Sequence, residues 1–221
     1  YASCEYRIRN VLDGIVLPKK NKPEIAVMNK KQQLRLEKYL DERPSVTSVG
    51  IAISMYMGLR IGEVCALQWK DIDLEKRVLT VSKTIQRVQC RTGSKQTKLI
   101  ITEPKSESSK RTIPIPDCLL PLLRRFKDNG EVYVVSGRKK PVEPRTMQYR
   151  FAKILHNADL PSFHYHSLRH LFATRCVELG FDVKTLSEIL GHSSVEVTLN
   201  RYIHSDMERK RTCMSLLSKC A

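Results

Sequence analysis

The stretch that decides the reading runs from Phe163 to Tyr202. It contains His164-Tyr165-His166-Ser167-Leu168-Arg169-His170, then Leu190-Gly191-His192-Ser193-Ser194, then Asn200-Arg201-Tyr202. Leu168, Leu171, Phe172 and Val177 recur at helical spacing, which predicts a helix from His166 to Gly180. Asp182 is a capping residue for a second helix through Val183, Leu186, Ile189 and Leu190, closed by Gly191. Ser194 is placed to cap a third, carrying Val195, Thr198, Leu199 and Tyr202. Charge-neutralising donors beside a weak oxygen nucleophile point to chemistry on a phosphate.

Upstream, Asn29 predicts the cap of a helix through Leu34, Leu36, Tyr39 and Leu40 that stops before Pro44. Ser45 opens another, with Val46, Val49, Ile53 and Met57 at helical spacing and Gly58 suited to its end. Next comes Leu59-Arg60-Ile61-Gly62-Glu63. An arginine among apolar neighbours is costly unless an anion meets it. Glu63 is either its ion-pair partner or a group that orients Arg60 toward a ligand, and both readings stand.

Between Asp71 and Ile115 the pattern changes. Val78–Val81, Lys98–Ile101 and Thr112–Ile115 are β-rich runs separated by polar turns. Lys83, Arg87, Arg91, Lys95, Lys98, Lys105, Lys110 and Arg111 crowd this region, opposed by Glu103 and Glu107. A small basic sheet of this kind can lie along a phosphate backbone. The turn Pro104–Lys110 places Lys105 at a strand end. Asp117 is expected to cap a helix through Leu119, Leu120, Leu122, Leu123 and Phe126. Tyr133–Val135 reads as a short strand or extended piece, and Thr146 as the start of a helix through Met147, Phe151, Ile154 and Leu155. The fold class expected is mixed α+β, mainly helical, with a small antiparallel sheet at one edge.

Bulk composition narrows the partners. Across 221 residues, 39 Lys and Arg face 23 Asp and Glu, a formal net charge of +16. That excess favours nucleic acid or an anionic surface over an acidic small molecule. Cys4, Cys65, Cys90, Cys118, Cys176, Cys213 and Cys220 form no CxxC pair. Their odd count fits a reducing, cytoplasmic setting, in a bacterium the nucleoid. No apolar run approaches the roughly 20 residues that span a bilayer, so no membrane partner is expected.

Arg60, Lys105, His166, Arg169, His192 and Tyr202 form one constellation. With Leu59-Arg60-Ile61-Gly62-Glu63, His166-x-Leu168-Arg169-His170, Leu190-Gly191-His192-Ser193-Ser194 and Tyr202, the chain resembles the tyrosine recombinase (integrase) family. The hairpin Pro104-Lys105-Ser106 … Lys110-Arg111-Thr112-Ile113-Pro114 resembles those of integrases of bacterial phages and conjugative transposons. The resemblance runs from about Val27 to the C-terminus. It implies a recombinase that cleaves and rejoins double-stranded DNA through a 3′-phosphotyrosine, integrating or excising a mobile element without metal or nucleotide cofactor. It also implies a homo-oligomer on DNA, from dimer to synaptic tetramer, with accessory DNA-bending proteins as further candidate partners. Residues 1–26 are then expected to be a remnant of a preceding core-binding region plus a basic linker. Residues 27–205 form the catalytic domain, and 206–221 a helical tail that docks on a neighbouring protomer.

The residue types suit that chemistry. Guanidinium is planar, permanently charged and able to grip phosphate oxygens bidentately, which makes Arg60 and Arg169 a clamp. His192 adds a third donor. A free phenol ionises near pH 10, so Tyr202 needs a proton acceptor, and His166 has the right range. Lys105 is placed to protonate the departing 5′-oxygen. Glu63 is expected to support the arginine–histidine cluster and His170 to be a buried structural neighbour. Lys83, Arg87, Arg91, Lys95, Lys98, Lys110 and Arg111 are the DNA-contacting candidates. Taken singly, Tyr202 reads equally as a half-buried helix tyrosine, His192 as a helix-end residue, and His164, His166 and His170 as weakly spaced zinc ligands. Competing whole-chain readings are a catalytically silent DNA-binding regulator, a type IB topoisomerase and a metal-dependent nuclease.

Overall fold

A computed structural model describes residues 28–89, 97–103, 109–192 and 194–202, with Met207, Arg211, Met214 and Ser215 beyond them. Helix α1 (Lys30–Glu42) begins where Asn29 and Gln32 exchange side-chain-to-backbone hydrogen bonds, both 2.9 Å, which satisfies donors the first turn leaves open. Helix α2 (Val46–Met57) is apolar on nearly every side and buried on nearly every side, as such a sequence must be. Ser45 caps it by accepting from Ser48 N, and Gly58 closes it in the left-handed region at φ 69°.

The other elements wrap α2. Helix α3 (Ile61–Ala66) follows directly and buries Val64 and Cys65. Helix α4 (Leu120–Phe126) contributes Leu120 and Leu123. Helix α5 (Pro144–Asn157) contributes Met147, Phe151 and Leu155, four residues apart. Helix α6 (His166–Glu178) is joined to α2 through the buried Tyr165, whose hydroxyl donates to Gly50 O at 3.0 Å and lies 2.8 Å from Ser54 Oγ. Burial pushes that phenol far above its usual range, so Tyr165 is a core tyrosine. Helix α7 (Val183–Leu190) packs beyond α6 over a smaller cluster that includes Phe172, Cys176, Leu186 and Leu190, and helix α8 (Val195–Tyr202) lies against α7. Among the described residues no helix is long and apolar enough to cross a membrane.

The β structure is two small antiparallel sheets. Strands β1 (Ile72–Asp73), β2 (Val78–Val81) and β5 (Arg111–Pro114) form one, in the order β1-β2-β5, with Leu79 opposite Ile113 and Val81 opposite Arg111. Strands β3 (Thr84–Gln89) and β4 (Thr97–Thr102) form the other. Strand β3, Thr84-Ile85-Gln86-Arg87-Val88-Gln89, mixes β-branched with long polar residues and is not among the predicted strands.

Three local expectations change. Asp117 caps no α-helix; the chain turns one residue earlier, with Pro116 in the cap position, so Asp117 lies inside a 3₁₀ turn (Asp117–Leu119) and pairs with Arg77 at the surface, at 2.9 Å. Helix α5 starts at Pro144 rather than Thr146, since proline suits a first helical turn, where its missing N–H costs nothing. Tyr133 forms isolated bridges with Gln68 and Arg138 in a turn instead of a strand.

Gly58 is the position where backbone and packing combine. An added Cβ would sit 2.5 Å from Phe172 Cδ1, on top of the left-handed φ. Gly58→Ala is expected to cost about 2–4 kcal/mol, measured by urea unfolding. A loss below about 0.5 kcal/mol would show that Phe172 and the turn relax freely.

Candidate active site

The site is built on the C-terminal end of α7. A helix leaves its last carbonyls without intrahelical donors and carries partial negative charge there. Gly191, at φ 64°, turns the chain so that these carbonyls face inward. Three arginines from three elements donate to three successive ones. Arg111 Nε on β5 reaches Ile189 O at 2.6 Å. Arg169 Nη2 on α6 reaches Leu190 O at 2.7 Å, and its Nη1 reaches Gly58 O at 2.8 Å. Arg60 Nη2, at the start of α3, reaches Gly191 O at 2.9 Å.

Glu63 supplies the balancing anion. It lies in the first turn of α3, where negative charge is favoured, and its Oε2 accepts the backbone N–H of Arg60 at 2.8 Å. Oε1 accepts from Arg60 Nη1 at 2.8 Å and from Arg111 Nη1 at 3.1 Å, and Oε2 accepts from Arg111 Nη2 at 2.9 Å. Burial alone pushes this carboxyl up, but the hydrogen bonds and charges of Arg111, then of Arg60, outweigh it and hold it below the usual range. Among the described hydrogen bonds, three guanidinium groups meet around one carboxylate, an arrangement rich in positive charge. That excess suits a phosphate.

Exposure separates the members. The Arg169 side chain is buried, while Arg60 keeps 37% of its side chain exposed and His192 is half-buried. His192 follows Gly191 and shares a 2.7 Å hydrogen bond between Nδ1 and Thr198 Oγ1 of α8. Helix α8 runs on to Tyr202, one turn after Thr198. His166 is exposed at the first position of α6, one turn before Arg169, and its ring meets that of the buried His170 edge-on at 4.7 Å. A groove of about 330 Å³ beside His192 is lined by Lys110, Arg111, Lys184, Ser187 and Ser194.

The structure thus brings Arg60, Glu63, Arg169 and His192 together, with His166 and His170 on the same helix as Arg169. Lys105 and the side chain of Tyr202 lie outside the described residues, as do Arg91, Lys95 and residues 1–27. Of the basic candidates, Lys83 is half-buried and Lys98 exposed on β4. Arg87 pairs with Glu143 at 2.6 Å and Lys110 with Glu103 at 2.6 Å, both at the surface. Arg111 departs from the expected basic face: its side chain is only 6% exposed and is bound into the cluster. The alternation of β5 carried a signal for this, since Arg111 shares a strand face with the buried Ile113.

The family model described as the phage integrase family matches residues 26–209. A XerC-like tyrosine recombinase of Caldanaerobacter subterraneus is 33% identical over 180 residues, covering 73% of this chain and 46% of that protein. The ICEBs1 integrase of Bacillus subtilis is 28% identical over 165 residues, covering 69% of this chain and 43% of that protein. The Tn1549 transposon integrase, solved in complex with a circular intermediate DNA, matches with a TM-score of 0.75 at 25% identity, covering 98% of this chain and 74% of that one. The chain spans about half the length of the curated relatives it matches.

Because Glu63 is held below the usual Glu value of about 4.3, its contribution to stability is complete above that pH and fades as pH falls through the lower native value. Glu63→Gln is expected to flatten the acid limb of stability against pH. At neutral pH it should cost about 2–4 kcal/mol, moderated because Arg60 is partly solvated. Denaturant unfolding across pH checks both; an unchanged acid limb would mean that Glu63 is not the titrating anion.

Proposed function

The chain belongs to the phage integrase family of tyrosine recombinases, and on that footing we propose that it is a site-specific DNA recombinase serving a mobile element. It cleaves and rejoins strands of double-stranded DNA through a 3′-phosphotyrosine. The observation that carries this reading is the gathering of Arg60, Arg169 and His192 around the end of α7, with the helix bearing Tyr202 held to His192 through Thr198. Relatives whose structures are DNA complexes support the choice of partner.

In the proposed step the Tyr202 phenol oxygen bonds to phosphorus as the bond to the 5′-oxygen breaks. The phenol proton passes to His166, and Lys105 gives a proton to the departing oxygen. Arg60, Arg169 and His192 donate to the nonbridging oxygens as charge builds on them, fixed in advance and so needing no reorganisation. The phosphodiester energy is kept in the phosphotyrosine, and attack by a second 5′-hydroxyl reverses the step. No metal or nucleotide enters. The exposed Lys98 and Lys110, with Lys83, Arg87, Arg91 and Lys95, give the charge for backbone contacts. The segment 206–221 couples protomers on DNA, from dimer to synaptic tetramer.

Incubating the chain with a pool of nicked duplexes of randomised sequence tests the chemistry. A protein–DNA adduct that survives denaturation is expected, with its yield unchanged by chelator. Tyr202→Phe should abolish it while duplex binding persists. Arg60→Lys should slow its formation about 100-fold or more, the cost of losing one fixed donor. An adduct that persists without the Tyr202 hydroxyl, or binding with no adduct at all, would overturn the proposal. Removing residues 206–221 should weaken assembly on paired sites; normal assembly would free the tail of that role.

A further inference from the structure

We propose that Arg111 is a positioning residue of this site, an arginine that meets no phosphate and instead fixes where Arg60 and His192 stand. The inference rests on the strand-transfer reading above. A basic strand residue next to an anion-binding cluster would ordinarily be counted among the DNA contacts. Its geometry assigns it elsewhere. With 6% of its side chain exposed, its guanidinium is bound to Ile189 O, to both oxygens of Glu63 and to Ser109 O.

Those bonds reach the reacting groups by two routes. Through Glu63, Arg111 sets the carboxylate that holds both the backbone N–H and Nη1 of Arg60. Through Ile189 O, it holds the last turn of α7 immediately before Gly191 and His192. The packing is close: a Cβ on Gly191 would lie 2.9 Å from Arg111 Nη1. The anchor is also firm, because Arg111 sits in β5 opposite Val81 of β2. The sheet, α3 and α7 are therefore tied at one side chain.

Only a planar fork can serve all these acceptors at once. A lysine ammonium is a point charge on a flexible stem and cannot span Ile189 O and both Glu63 oxygens. Without Arg111, Glu63 is left buried with Arg60 as its remaining cation, and burial then favours its protonated form. Protonation loosens Arg60. Loss of Arg111 thus acquires a pH signature that loss of a phosphate contact lacks.

The test compares the parent chain with Arg111→Lys and Arg111→Met on the nicked-duplex pool, measuring adduct rate and duplex affinity separately from mildly acidic to neutral pH. Arg111→Met is expected to slow adduct formation about 100-fold, the scale of misplacing reacting groups by about an ångström, with duplex affinity nearly unchanged. On acidification its rate should fall more steeply than the parent's, beyond the limb that a His166 base gives both, and adding Glu63→Gln should remove that excess. Arg111→Lys should lie between, and decides the matter if the methionine variant does not fold. Parental adduct rates in a folded variant, or a rate loss matched by an equal affinity loss, would overturn the assignment.

A second readout needs no activity. In the Arg111→Lys variant, the backbone amide resonances of Leu190, Gly191 and His192 should shift while those of α1 stay in place. Unmoved resonances overturn the positioning role. If the parent itself forms no adduct, the strand-transfer reading falls, and the resonances still judge Arg111.

Discussion

Three guanidinium groups meeting the open carbonyls at the end of α7 is the interaction on which the rest of the site depends. Helix ends concentrate partial negative charge, and here that charge is used to hold cations in place rather than to bind an ion from solution. Each arginine comes from a different part of the chain. The helix end therefore acts as a common reference that α3, β5 and α6 all share.

A cluster of like charges is costly to assemble, and two features offset that cost. Glu63 is fully engaged by Arg60 and Arg111, so its burial leaves no lone pair stranded. Arg169, the most buried of the three, is held between carbonyls of two helix ends, Gly58 and Leu190. Fixed carbonyl dipoles of this kind offset part of the cost of taking a charge out of water. Arg60 and His192 keep part of their side chains exposed, while Arg111 and Arg169 stand behind them. Such an arrangement is prepared for an anion before one arrives.

The fold supplies rigidity where the site needs it. Helix α2, buried along its length, ends at Gly58, and the next residues carry Arg60 and Glu63 into α3. Tyr165 locks the start of α6 to the middle of α2, one residue before His166. Thr198 then links His192 to α8, so that the positions of His192 and of the helix carrying Tyr202 are set together.

Much of this was written locally in the chain. Asn29, Ser45 and Asp182 cap helices in the way their short polar side chains dictate, and Gly58 and Gly191 end helices in the left-handed region that glycine adopts at little cost. Strands β2, β4 and β5 follow from β-branched and apolar runs, and the family was recognisable from the order and spacing of its sequence motifs. Asp117 shows the limit: its capping tendency was real, but the helical turn begins one residue earlier, after Pro116, and leaves Asp117 inside it. Arg111 shows it more sharply. Its charge placed it among surface cations, whereas Ile189 O and Glu63 drew it inward. Capping, periodicity and turn preference are interactions among near neighbours, so the sequence by itself determined them. Which arginine keeps an exposed edge, as Arg60 does, and which is enclosed, as Arg111 is, depends on groups that only the folded chain brings within hydrogen-bonding distance, and that the tertiary structure alone decided.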